Sequence, residues 1–111
     1  MGQGQKAHPN GMSRALIVTP DAEADILDGY LSYEDKQSGL GIRFLDEVEE
    51  TFARIAPNPL QYQEVEPDIR RAVVHTFPYL VFYTFGPDSV HILAVIHGAQ
   101  DPAYIKSRLG A

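Results

Sequence analysis

The chain has 111 residues, 44% of them hydrophobic, enough for one domain with one modest core. It has no cysteine, which excludes disulfides, thiolate nucleophiles and cysteine-bound zinc. The formal charge of −6 argues against a generic nucleic-acid binder.

That charge is unevenly spread. Residues 1–69 hold 5 Lys/Arg against 13 Asp/Glu (−8), and residues 70–111 hold 4 against 2 (+2). A local anion-binding patch in the second half stays open, although long-range steering toward RNA would be poor. The longest apolar run has a strand's length and no secretory segment stands near the start, so a cytoplasmic protein without a membrane span is expected. The four histidines are scattered, and no metal or other cofactor is expected.

In chain order, residues 1–11 are polar and aperiodic and read as a flexible extension, with residues 12–111 forming one domain. Ala15-Leu16-Ile17-Val18 suits a short strand. Thr19-Pro20 then signals a helix start, with Asp21 and Glu23 in the first turn. Ala22, Ile26, Leu27, Tyr30 and Leu31 recur at helical spacing, and Lys36-Gln37-Ser38-Gly39 ends the helix. A second helix carries an apolar stripe of Ile42, Leu45, Val48, Phe52 and Ile55, with Asp46, Glu47, Glu49 and Glu50 making its other side acidic. Pro57-Asn58-Pro59 stops it, and the two helices form an antiparallel hairpin.

Leu60 to Asp68 reads as a loop. Alternation follows, with Ile69, Arg71, Val73 and His75 facing one way and Arg70, Ala72, Val74 and Thr76 the other. Leu80–Phe85 and Val90–Ile96 complete a meander through turns at Phe77-Pro78-Tyr79 and Gly86-Pro87-Asp88. Asp101-Pro102 starts a short terminal helix. The expected fold is α+β in the order β-α-α-β-β-β, a helical hairpin on one face of a small, mainly antiparallel sheet.

The chemistry-bearing candidates are few. Arg70 and Arg71 could hold a phosphate, but adjacent strand residues point to opposite faces, so only one can join a given site. The bland alternative pairs one with a carboxylate of the preceding loop and leaves the other solvated. His97 has a side chain suited to proton transfer, yet a lone histidine at a strand end more often holds a turn, here through Asp101. His75 and His91 are weaker candidates. The carboxylates of the second helix suit a solvated face better than a metal or acid–base site. Most of the six tyrosines read as core-edge residues with surface hydroxyls.

Arg70-Arg71, Phe77-Pro78-Tyr79, Phe82-Tyr83, Ile92-Leu93-Ala94-Val95 and His97-Gly98-Ala99-Gln100-Asp101-Pro102 stand in an order and spacing that resembles the RelE/ParE superfamily, most closely its ParE branch. One position departs, because the arginine usual before Asp-Pro is Gln100. The resemblance runs back to about Ala15. It implies a bacterial toxin of a type II toxin–antitoxin (plasmid stabilisation) system, neutralised by a cognate antitoxin and acting by binding DNA gyrase, hence not an enzyme. The alternatives are a RelE-type endoribonuclease that cuts messenger RNA on the ribosome and an inactive remnant that keeps antitoxin binding. On this reading Arg70, Arg71, His97, Gln100, Lys106 and Arg108 are target-binding candidates, with Arg70, Arg71 and His97 the catalytic candidates of the alternative. Asp46, Glu47, Glu49 and Glu50 are antitoxin-binding candidates.

Overall fold

The computed structural model describes residues 14–110; the expected extension over residues 1–11 lies outside the described residues. The first strand, β1 (Ala15–Val18), leads into α1 (Pro20–Lys36) and α2 (Leu40–Ile55). A 3-10 turn at Pro59–Gln61 precedes β2 (Gln63–Glu66), β3 (Ile69–Val73), β4 (Tyr79–Phe85), β5 (Ser89–His97) and α3 (Pro102–Arg108). The sheet order is β1-β5-β4-β3-β2, with β1 parallel to β5 and every other pair antiparallel. The α+β hairpin-on-sheet architecture is as expected, with one correction. The segment read as a loop contains β2, whose Gln63 and Glu64 pair with Arg71 and Arg70.

Local chemistry explains the hairpin. Thr19 caps α1, its Oγ1 accepting from the Ala22 N–H at 3.3 Å while its hydroxyl donates to the Ile92 carbonyl at 2.8 Å. The cap thereby ties the helix start to β5. Glu34 then serves α2: its carboxylate accepts from the Gly39 and Gly41 N–H groups at 3.0–3.1 Å. The two helices approach closely at glycines. A Cβ on Gly29 would lie 2.7 Å from the Phe44 ring, and one on Gly41 would lie 2.8 Å from the Tyr30 carbonyl.

That approach leaves one edge of each expected stripe outside. Leu27, Leu31 and Ile42 are more than half exposed, whereas Ala22 is buried as expected, Ile26 and Tyr30 pack against the core, and Gly29 and Phe44 are buried as well. The remaining stripe of α2 points inward as expected, with Val48, Phe52 and Ile55 buried. These side chains meet Ala72, Val81, Tyr83, Val90 and Ile92 on one sheet face. Phe82, Ala94 and Ile96 form a smaller cluster on the other face, covered by Ile105 of α3 and by Leu109, which caps that helix.

The β4–β5 ladder contains a one-residue irregularity. Phe82 pairs with Ala94 but Tyr83 with Ile92, so Leu93 is extra on β5. A single extra residue reverses which face each later side chain meets. Val90 and Ile92 point to the helices, and so do Val95 and His97, while Ala94 and Ile96 point away.

Candidate functional site

Several concave features border the sheet. The first is a groove of about 550 Å³ beside β1, lined by Leu16, Val18, Ile26, Leu45, Val48 and Phe52. Glu23 and Glu49 complete its lining. Among the described residues β1 pairs only with β5, so its outer edge offers backbone groups that no described strand takes up. Of the four acidic candidates on α2, only Glu49 lines this groove; Asp46 and Glu50 are exposed on the helix surface and Glu47 is half-buried.

The second, a groove of about 380 Å³, lies on the opposite sheet face, under α3. Leu80 and Phe82 meet Ile105 and Leu109 there, with Arg71, Gln100 and Lys106 among the polar lining. Three of the six target-binding candidates therefore share one groove.

The third is a small polar cleft between α1 and the turn after β5, where Asp25, Asp28, Tyr79, His97, Gln100 and Arg108 converge. Arg108 is engaged by Asp25 through both guanidinium nitrogens at 2.8 and 2.9 Å, and it also donates to the Tyr104 hydroxyl at 3.0 Å. The Asp25 hydrogen bond raises the Arg108 pKa further, against the opposing effect of burial. Asp25 also accepts from the Val95 N–H at 3.0 Å. Tyr79 is held protonated by burial, reinforced by Tyr33, Asp28 and Asp25.

His97 stacks edge-on against Tyr79 at 5.2 Å, and its Nδ1 accepts from the Ala99 N–H at 3.0 Å. The turn partner expected for His97 was Asp101. Asp101 instead caps α3, accepting from the Ala103 N–H at 2.8 Å, because its position immediately before Pro102 makes it the helix N-cap.

Arg70 is separate from these, in a further cleft that it lines with Glu64, Asp68, Thr84 and Phe85. Its guanidinium donates to the Tyr62 carbonyl at 2.6 Å, lies 4.0 Å from the Glu64 carboxylate and sits 5.9 Å over the Phe85 ring. It faces the helices, as Ala72 does, whereas Arg71 faces the α3 groove. Arg70 is opposite Tyr83 and His97 opposite Tyr79. Four residues of β4 thus separate them, roughly 13 Å along the strand. Arg71 and His97 occupy opposite faces. The three catalytic candidates accordingly do not converge.

Tyr83, one of the groups the sequence offers for chemistry, and Asp25, which it does not single out, both take structural roles. The Tyr83 hydroxyl is fully buried, not at the surface, and donates to the Pro59 carbonyl at 2.6 Å. Burial pushes its pKa up to about 12, with Arg70 opposing. Asp25 carried no signal, since a carboxylate in an acidic helix reads as solvated. Among the described residues, no three His, Asp or Glu side chains gather where they could hold a metal ion, and no helix is long and apolar enough to cross a membrane.

The family described as ParE toxin of type II toxin–antitoxin system, parDE, matches residues 16–102. The chain belongs to the ParE toxin family. A solved chain of the chromosomal ParDE toxin–antitoxin system from P. aeruginosa is 16% identical, with a TM-score of 0.69 over 78% of this chain and 97% of that one. At that identity the likeness concerns the fold. No curated protein matches the sequence. The ParE match spans β1 through Asp101-Pro102, so both grooves and the polar cleft are built largely from matched residues.

Proposed function

We propose that this chain is the toxin of a type II pair, neutralised by a cognate antitoxin, and that it acts by binding and inhibiting DNA gyrase rather than by cutting RNA. The observation that carries the reading is the separation of Arg71 from His97 by the sheet. Cleavage of RNA needs a proton acceptor, a proton donor and cations around one phosphate. The His97 cleft brings two carboxylates, Asp25 and Asp28, and one cation that Asp25 already holds. Such a cleft repels a phosphate. Arg71, Gln100 and Lys106 line a mixed apolar and cationic groove of the kind protein interfaces use.

The antitoxin is assigned to the groove beside β1. Its aliphatic lining and free strand edge suit a tail that is partly apolar and partly extended. Glu23 and Glu49 in the groove, with Asp46, Glu47 and Glu50 on α2, favour a cationic segment.

The test is expression without antitoxin, followed by supercoiling by gyrase and messenger RNA cleavage on ribosomes, for wild type and His97→Ala. Gyrase inhibition by both proteins, with intact messenger RNA, is the expected result. Cleavage that falls by ~10²–10⁴-fold in His97→Ala would establish the ribonuclease instead. Inactivity in both assays would identify a remnant that keeps only antitoxin binding, the reading that Gln100 in place of the usual arginine favours.

A further inference from the structure

The groove under α3 is chemically the reverse of the groove beside β1. Its floor is apolar, from Leu80 and Phe82 of β4 with Ile105 of α3 and Leu109 just after it. Two cations line it from separate elements, Arg71 on β3 and Lys106 on α3. Among the described residues, the ion pairs engage only Arg70 with Glu64 and Arg108 with Asp25, so both groove cations are available to a ligand. Glu66 is the one carboxylate in the lining, which leaves the groove net positive on a chain of charge −6.

We propose that this groove docks an acidic, aliphatic segment of the target protein. The proposal rests on the reading that the chain acts by binding a protein. A nucleic acid would require cations tracking a backbone and open aromatic faces for its bases. The groove offers two cations, and its single aromatic side chain, Phe82, is only 3% exposed. A cationic antitoxin tail matches the acidic groove and is mismatched here. Aliphatic side chains of the segment lie on Leu80 and Ile105 while its carboxylates meet Arg71 and Lys106. The segment seats in the groove instead of extending the sheet, because the neighbouring edge strand β2 is irregular between Glu64 and Glu66, which interrupts a ladder.

The test has two readouts on the full chain. Supercoiling by purified DNA gyrase is measured with wild type, Arg71→Glu/Lys106→Glu and Arg43→Glu, the last at an exposed position on α2. Separately, amide NMR signals are followed while a leucine–aspartate peptide, its leucine–lysine counterpart or a single-stranded ribo-oligonucleotide is added. The acidic peptide alone is expected to shift Arg71, Leu80, Ile105 and Lys106, and the double charge reversal is expected to abolish those shifts. The same reversal weakens gyrase inhibition by about tenfold or more, with Arg43→Glu resembling wild type. Arg71→Gln/Lys106→Gln, which adds no charge, together with a melting curve, separates lost binding from lost folding. Acidic-peptide binding without gyrase inhibition by wild type would dismiss gyrase and keep the groove. The assignment is overturned by absent groove shifts, by groove shifts from the lysine peptide or oligonucleotide, or by undiminished gyrase inhibition in a folded double reversal.

Discussion

Asp25 of α1 holds Arg108 of α3 through two hydrogen bonds of 2.8 and 2.9 Å and accepts a third from the Val95 backbone. One carboxylate thereby joins the first helix, the last helix and the central part of β5. The side chains are 15% and 19% exposed, so the pair is largely desolvated. Removing one partner leaves a charge without compensation, which in buried pairs costs about 3–5 kcal/mol. Arg108→Ala is expected near or below the bottom of that range, because solvent still reaches the site. Asp25→Ala should cost more, since it also strands the Val95 N–H. Chemical denaturation of both variants and the double mutant checks this, and a double-mutant loss equal to the sum of the singles would show that the pair is uncoupled.

Tyr83 makes a separate prediction about alkaline pH. Its hydroxyl is raised from 10.0 to about 12 by burial against the Pro59 carbonyl. The folded state therefore keeps a proton that the unfolded chain releases. The associated stability is complete below pH 10 and is lost as pH rises toward 12. Two units correspond to roughly 2–3 kcal/mol at most. Tyr83→Phe should be less stable than wild type at neutral pH, by about 1–2 kcal/mol for the lost hydrogen bond, with a shallower fall above pH 10. Parallel curves for the two proteins between pH 9 and 12 would refute the assignment.

Much of the architecture is legible before any coordinates. Thr19-Pro20, Gly39 and Pro57 bracket the two helices, and the turn residues around Pro78 and Pro87 separate the last three strands. The edge of each helix's buried face is not legible, because Leu27 and Leu31 satisfy a 3.6-residue period as well as the core-facing positions do. The choice is made by Gly29 and Gly41, whose missing side chains let the helices close on Phe44 and Tyr30. β2 carries a single apolar residue among Gln63, Glu64 and Glu66, so alternation has nothing to report. The extra residue at Leu93 is hidden for the opposite reason. Nearly every position from Val90 to Ile96 is apolar, and such a run does not record which face each residue meets. That hidden step decides that His97 and Arg71 part company, so the site could not be assembled from spacing.

Phe52 links the core to the groove beside β1, where it is 9% exposed. Phe52→Ala is expected to cost about 3–5 kcal/mol, as aromatic truncations in cores do. Leu45→Ala, at a half-buried groove position, should cost less and weaken antitoxin binding at unchanged fold. Denaturant melts combined with titration of the antitoxin tail separate the two effects. A stability change within ~0.5 kcal/mol for Phe52→Ala would mean that this face is surface, not core.

Gln100 is exposed at the junction of the α3 groove and the polar cleft. Its amide hydrogen-bonds but carries no charge, so it cannot grip a carboxylate as the family's usual arginine can. Gln100→Arg should change stability by no more than ~0.5 kcal/mol, as at other exposed sites. It also adds a third cation beside Arg71 and Lys106. Tighter inhibition of the target is therefore expected, by several-fold at low salt and less at high salt, where screening shortens the reach of rim charges. The same substitution in the Arg71→Glu/Lys106→Glu background should recover only part of that gain, because a new positive charge then faces two negative ones across the groove. Dose–response curves for gyrase inhibition at two ionic strengths measure all of this. Equal inhibition by wild type and Gln100→Arg at low salt would place residue 100 outside the contact surface.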